Sequence, residues 1–276
     1  MSRTKLLENI KAKKSFLCVG LDTDRSRIPQ HFRNEPDAIF AFNKAIIDAT
    51  APYAIAFKPN TAFYEAEGIE GWASLQKTIH YIKQQYPDIL VIADAKRGDI
   101  GNTSASYARA FFDLLGADAI TVAPYMGFDS VSPFLAHNDK WTILLAATSN
   151  AGSADFQQRA DATGHKFYEL VVRKACDWAG PDQLMFVVGA TKPAELAALR
   201  KLAPDYFFLV PGVGAQGGSL AEVADNAMNK SCGVLVNASR SIIYASDGDD
   251  FALAAAAEAL KLQQEMAVLL NKYGII

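Results

Sequence analysis

Short, continuous apolar runs recur along the chain, and most are followed by a stretch with helical periodicity. The runs occupy residues 16–21, 53–57, 89–93, 119–123, 142–147, 184–188, 206–210 and 233–236. Each has strand length and is apolar at successive positions, the pattern of a parallel strand covered on both faces. Helical patterns run over 4–12, 38–50, 72–86, 104–115, 163–178, 194–202, 219–228 and 251–273. Alternating β and α units predict an α/β protein with a parallel sheet under helices. Eight units favour a closed (β/α)8 TIM barrel over an open doubly wound sheet. At 276 residues, the chain fits one such barrel as a single domain over 1–276.

Chemistry in such a barrel sits on the loops at the C-terminal ends of the strands, and these ends are polar here. In strand order they begin with Asp22, Lys58-Pro-Asn60, Asp94-Ala-Lys96, Pro124-Tyr125, Thr148-Ser149-Asn150, Gly189-Ala-Thr191, Pro211-Gly212-Val-Gly214 and Asn237-Ala-Ser-Arg240. The third is the richest. Strand alternation puts Asp94 and Lys96 on the same side of the chain. Gly98 then breaks the strand, and Asp99 falls where a helix could begin, with Asn102 and Thr103 as rival caps. A lone Asp-x-Lys is better read as a surface ion pair followed by an N-cap; three charges within six residues after an apolar strand bring a functional reading level with it. Asp22, Lys58, Asp94 and Lys96 together alternate in sign at one side of the mouth, so each charge can stay ionised beside an opposite neighbour. That set reads as a reactive site or as a structural ion-pair network.

The opposite side has a different character. Pro211-Gly-Val-Gly-Ala-Gln216-Gly-Gly-Ser219 spells G-x-G-x-x-G, but it follows the seventh strand, and the stretch about 20 positions on is apolar. A dinucleotide fold wants the motif after its first strand and an acidic residue there. In a barrel, the loops after strands seven and eight instead form a frequent phosphate site. Ser219 can cap the following helix, and Arg240 adds a planar, charge-assisted fork for the same anion. The small, polar segment 150–158 suits a mobile lid or an ordinary surface loop.

Composition narrows the partner. The net charge of -3 comes with no long basic run, and no apolar run reaches the length of a membrane span, so neither nucleic acid nor membrane is expected. The densest basic patch, Lys11, Lys13 and Lys14, reads as a solvated helix face. No signal-peptide core follows Met1. Cys18, Cys176 and Cys232 are odd in number and far apart, as expected of buried reduced thiols in a cytoplasmic protein. No His falls at a strand end and no His or carboxylate cluster has metal-ligand spacing, which leaves a small-molecule site without histidine chemistry.

The apolar strand followed by Asp94-x-Lys96-x-x-Asp99-Ile100 and Thr103, with Gly20-Leu-Asp22, Phe57-Lys58, Thr148-Ser149, the Pro211–Gln216 loop and Asn237-Ala-Ser-Arg240, resembles the orotidine 5′-phosphate decarboxylase family, in its longer bacterial branch. The resemblance implies loss of CO2 from C6 of orotidine 5′-monophosphate to give UMP, with no metal or organic cofactor. By the same resemblance, Lys58, Asp94 and Lys96 form the catalytic network with Asp99, which the family donates from the neighbouring subunit of a homodimer. Ile100 and Thr103 would enter the partner's site with it. Lys96 would protonate C6, Asp22 bind ribose hydroxyls, Asn60 the substrate beside them, and Ser149 the pyrimidine. Gln216 and Arg240 would hold the phosphate with backbone groups of the Pro211-Gly212 loop. Three rivals remain: Mg²⁺-dependent sugar-phosphate decarboxylases with a similar signature, which carry a Glu where this chain has Lys58; a Schiff-base aldolase using Lys58 or Lys96; and a silent phosphometabolite-binding barrel.

Overall fold

A computed structural model describes residues 1–33, 35–213 and 217–276. Among the described residues eight strands are present: β1 (Leu17–Gly20), β2 (Ala54–Lys58), β3 (Leu90–Arg97), β4 (Ala119–Val122), β5 (Trp141–Ala147), β6 (Leu184–Val188), β7 (Phe207–Pro211) and β8 (Val234–Ala238). Each pairs in parallel with the next, and β1 closes on β8. The expected (β/α)8 barrel is therefore the observed one. Its strands are buried along nearly their whole length, because helices cover the outside and inward side chains fill the centre.

The helices are α1 (Arg3–Lys13), α2 (Ala38–Thr50), α3 (Thr61–Glu65), α4 (Gly68–Gln85), α5 (Gly101–Ala108), α6 (Phe128–Leu135), α7 (Phe167–Trp178), α8 (Pro193–Leu202), α9 (Leu220–Ala227), α10 (Arg240–Ile243) and α11 (Phe251–Lys272). The N-terminal segment packs at the end of the barrel where strands begin. Trp141, which starts β5, donates its indole N–H to the Met1 carbonyl, and Arg3 donates to the Pro181 carbonyl just before β6. The other end of the barrel stays open for a site.

The short helices α3, α6 and α10 are additions to the sequence reading; one to two turns give too little periodicity to register. The single helix expected over 104–115 starts earlier, at Gly101, and passes at Arg109–Leu114 into a π-helical turn. Phe111 and Phe112, within this wider turn, are both buried. Cys18 and Cys232 are buried, Cys176 is only half-buried, and all three are free thiols.

Candidate active site

The site is organised by an irregularity in β3. Ala93 pairs with Ile120 of β4, but the next pairing is Arg97 with Val122, so β3 spends four positions where β4 spends two. The surplus is absorbed at Lys96, whose φ of 47° lies in the left-handed region. For a non-glycine residue that costs about 1–3 kcal/mol and survives only where the surroundings over-determine it. They do here. The Lys96 N–H donates to Thr121 Oγ1 at 2.9 Å. The Arg97 guanidinium donates to the Ala95 carbonyl, pairs with Glu65 of α3, and lies 5.4 Å from the ring centres of both Tyr107 and Phe111. Asp94 and Lys96 do meet, as alternation predicted, but through this bulge rather than through a regular strand.

The meeting extends into a chain of alternating charges. Lys96 Nζ donates to Asp94 Oδ1 at 2.7 Å, Lys58 Nζ donates to Asp94 Oδ2 at 2.9 Å, and Lys58 Nζ lies 3.7 Å from Asp22 Oδ1. The side chain of Lys58 is 5% exposed, that of Asp94 12% and that of Lys96 48%, so the Lys96 end of the chain is the one most open to the cavity. Burial disfavours the Lys58 ammonium, but the Asp22 and Asp94 carboxylates outweigh it and hold its pKa above the ordinary lysine value. Burial likewise disfavours charge on Asp94, yet Lys58 and Lys96 hold its carboxyl well below the usual range. Both groups are ionised at neutral pH. Beneath them Cys18 donates to Asn237 Oδ1, and burial pushes its thiol up to about 12, which makes it inert packing.

Asp22 is held by its backbone while its carboxylate stays available. The Tyr244 hydroxyl, just past α10, donates to the Asp22 carbonyl at 3.1 Å and accepts from the Asp24 N–H at 2.7 Å. Next door, Thr23 donates to the buried Asn43, whose amide donates to Tyr64 and Thr78. Asp22 Oδ1 is buried without a hydrogen-bond partner, 3.7 Å from Lys58 Nζ, while the side chain as a whole is 19% exposed and lines the cavity. Asn60 N-caps α3 by accepting from the Ala62 N–H.

At the other side of the mouth, the chain turns at Gly212, with φ of 100°. The Gly218 N–H then donates to the Gly212 carbonyl at 3.1 Å. A Cβ on Gly218 would fall 2.9 Å from that oxygen, so the loop closes only with glycine there. Ser219 caps α9 as expected. Arg240 opens α10 and is exposed, and among the described residues its guanidinium has no hydrogen-bond or ion-pair partner. Gly214 and Gln216 lie outside the described residues.

One cavity of about 610 Å³ collects Asp22, Lys58, Asn60, Asp94, Lys96, Ser149, Pro211, Gly212 and Arg240. Its floor is apolar, from Leu145, Val187 and Leu209, and Arg27 and Tyr244 join its rim. The sequence reading missed these five, together with Thr121; the inward positions of β5, β6 and β7 could have been found by counting back from the strand ends. Three expected residues are absent from the cavity wall. Asp99 accepts from the Ile100 N–H, Ile100 is 54% exposed, and Thr103 is exposed in the first turn of α5. Neither Asn102 nor Thr103 is the cap; that position is Ile100, with no side-chain hydrogen bond. The base of segment 150–158 is held by Gln157, whose amide accepts from the Thr148 N–H and donates to the Thr148 hydroxyl, both at 2.8 Å. Among the described residues, no three His, Cys, Asp or Glu side chains are grouped to hold a metal.

Residues 15–255 match the family model described as Orotidine 5′-phosphate decarboxylase / HUMPS family. The orotidine 5′-phosphate decarboxylase of Bacteroides fragilis is 58% identical over 267 residues, spanning 97% of each chain. Among solved structures, Leishmania donovani UMP synthase superposes with a TM-score of 0.85 at 41% identity, over 98% of this chain and 56% of that one. Leishmania donovani OMP decarboxylase superposes with a TM-score of 0.81 at 38% identity, over 97% of this chain and 99% of that one.

Proposed function

Because the chain belongs to the orotidine 5′-phosphate decarboxylase / HUMPS family, we propose that it is a carboxy-lyase converting orotidine 5′-monophosphate to UMP and CO2 in pyrimidine biosynthesis, without a metal ion. The observation that carries the metal-free reading is the position of Lys58. Its Nζ lies 3.7 Å from Asp22 Oδ1 and 2.9 Å from Asp94 Oδ2, so an ammonium fills the place a divalent cation would take between those carboxylates. The same ammonium, held protonated by its neighbours, is a poor Schiff-base nucleophile.

In the reaction, the bond from C6 to the carboxylate breaks, CO2 leaves, and the electron pair stays on C6 until a proton arrives. The pyrimidine offers that pair no conventional sink, so the lowering required lies high in the range of about 8–23 kcal/mol. Asp94 facing the substrate carboxylate contributes repulsion of about 4 kcal/mol at ~4 Å and an effective dielectric of ~20, which is too little alone. Lys96 supplies the larger part: its ammonium stabilises the developing charge and then delivers its proton to C6. Asp94 holds that ammonium at 2.7 Å before the substrate arrives, so little reorganisation is left for the reactive step.

The remaining cavity residues divide the substrate between them. Asp22 takes ribose hydroxyls, with Asn60 alongside, Ser149 takes the pyrimidine, and Arg240 takes the phosphate with the backbone of Pro211 and Gly212 and the side chain of Gln216. Phosphate binding then drives closure, so a remote contact contributes to the rate. The site is completed in a homodimer by Asp99, Ile100 and Thr103 of a second copy, a reading supported by their position off the cavity wall and by the exposed apolar Ile100. Residues 1–276 act in this reading as one decarboxylase domain in the cytoplasm; no helix among the described residues is long and apolar enough to cross a membrane.

Loss of orotidine 5′-monophosphate absorbance, followed in EDTA for the parent protein and for Lys96→Ala, tests the reading. Turnover by the parent, falling by about 10⁴-fold in the variant, is the expected result. No turnover in EDTA, with activity on a sugar phosphate restored by Mg²⁺, contradicts it.

A further inference from the structure

We infer that Thr121 is a positioning residue for this site, one hydroxyl that fixes both Asp94 and Lys96. Thr121 lies on β4 opposite the surplus residues of β3, between the pairings Ala93 with Ile120 and Arg97 with Val122. Its residue is 1% exposed, and it stands behind Asp94 rather than on the cavity wall. Thr121 Oγ1 is 2.9 Å from the Lys96 backbone nitrogen and 2.9 Å from Asp94 Oδ1. The direction of both hydrogen bonds follows from chemistry. A backbone N–H can only donate and an ionised carboxylate can only accept, so the hydroxyl accepts from Lys96 and gives its single proton to Asp94.

Two consequences follow for the reactive groups. The bond from the Lys96 N–H restrains the residue whose φ is left-handed, and so sets where its ammonium points. The bond to Asp94 Oδ1 adds to the one from Lys96 Nζ on the same oxygen, while Oδ2 takes Lys58. The carboxylate is thereby fixed in rotation, with both oxygens committed before substrate binds. Pre-organisation of this kind acts on the reacting centre and not on the ribose or phosphate. Loss of the hydroxyl therefore lowers kcat with little change in KM.

The inference rests on the decarboxylase reading, and its test separates the two. Thr121→Val keeps the shape and β-branching of the side chain and removes both hydrogen bonds; Thr121→Ser keeps the hydroxyl. With orotidine 5′-monophosphate, Thr121→Val is expected to lose at least 30-fold in kcat with KM within threefold of the parent, and Thr121→Ser to stay within threefold in both. Equal behaviour of the two variants, or a loss confined to KM, overturns the inference. Crystal structures of the parent and both variants give a second readout that needs no turnover. In Thr121→Val, Lys96 is expected to leave the left-handed region or the Asp94 carboxylate to rotate, with both retained in Thr121→Ser; unchanged positions in Thr121→Val overturn the inference. Should Thr121→Val not fold, Thr121→Ala takes its place in the same comparisons. A parent without turnover would sink the decarboxylase reading, and the structures would still decide the role of Thr121.

Discussion

Asp94 and Asp99 belong to one short segment and meet opposite environments. Asp94 is nearly buried, accepts from Lys58, Lys96 and Thr121, and faces the cavity. Asp99 lies past the glycine that ends the strand; among the described residues its side chain has only the local contact to the Ile100 N–H and does not line its own chain's cavity. The first carboxylate is held in place by the barrel around it. The second is half-buried, off the cavity wall, beside an exposed isoleucine. One sequence signature thus builds two different things: a charge cluster assembled within the chain, and a segment that lies off the cavity wall. Under the proposed function these are two halves of one active site, made from two copies.

The sharpest way to separate the halves is to delete each carboxylate and measure activity and stability together. Asp99→Ala is expected to lower kcat about 10³-fold on orotidine 5′-monophosphate, about 4 kcal/mol of transition-state stabilisation, while its thermal unfolding midpoint stays within a degree of the parent. Unimpaired turnover would reduce Asp99 to a surface residue. Asp94→Ala is expected to cost about 3 kcal/mol in denaturant unfolding as well as activity, because it strips a partner from the buried Lys58. A stability change under 1 kcal/mol would mean that the cluster is not tightly coupled to the barrel.

The acid limb of stability should follow the same division. The Asp94 carboxyl is held below its unfolded value of about 3.9, so the stability it contributes is complete above that value and is lost as pH falls through the folded one. Asp94→Asn should therefore unfold with a shallower dependence below about pH 4. Lys58, held above its unfolded value of about 10.4, contributes stability that is complete below that pH and lost only as pH rises through its folded value. The smallest expected effect lies in the segment off the cavity wall. Gly101 has φ of 51° with open space around its missing Cβ, so Gly101→Ala should cost about 1 kcal/mol from backbone strain alone. A neutral result would mean that the start of α5 can readjust.

The barrel and the charged strand ends were legible because they depend on local pattern: apolar runs give strands, and the residue after each run is forced to the mouth. The Asp94–Lys96 contact was expected for the wrong geometric reason. Alternation cannot foresee a left-handed Lys96, since the bulge exists only in the pairing of β3 with β4. Thr121 and Tyr244 escaped notice for a related reason. Each acts through one hydroxyl on residues far away in the chain, and neither carries a charge or a motif. The helix over 104–115 departs from the expectation at Arg109–Leu114, where a π turn inside a helix leaves the apolar periodicity almost unchanged.

Mixing two inactive variants tests the two-copy site most directly. Lys96→Ala and Asp99→Ala are combined in equal amounts under conditions that let subunits exchange, and turnover of orotidine 5′-monophosphate is followed. If Asp99 acts across the interface, each mixed dimer carries one site with both residues intact, and about a quarter of the parental activity should return. Activity no greater than the sum of the two variants alone, with exchange verified by mass-labelled subunits, would contradict the account and return Asp99 to its own chain.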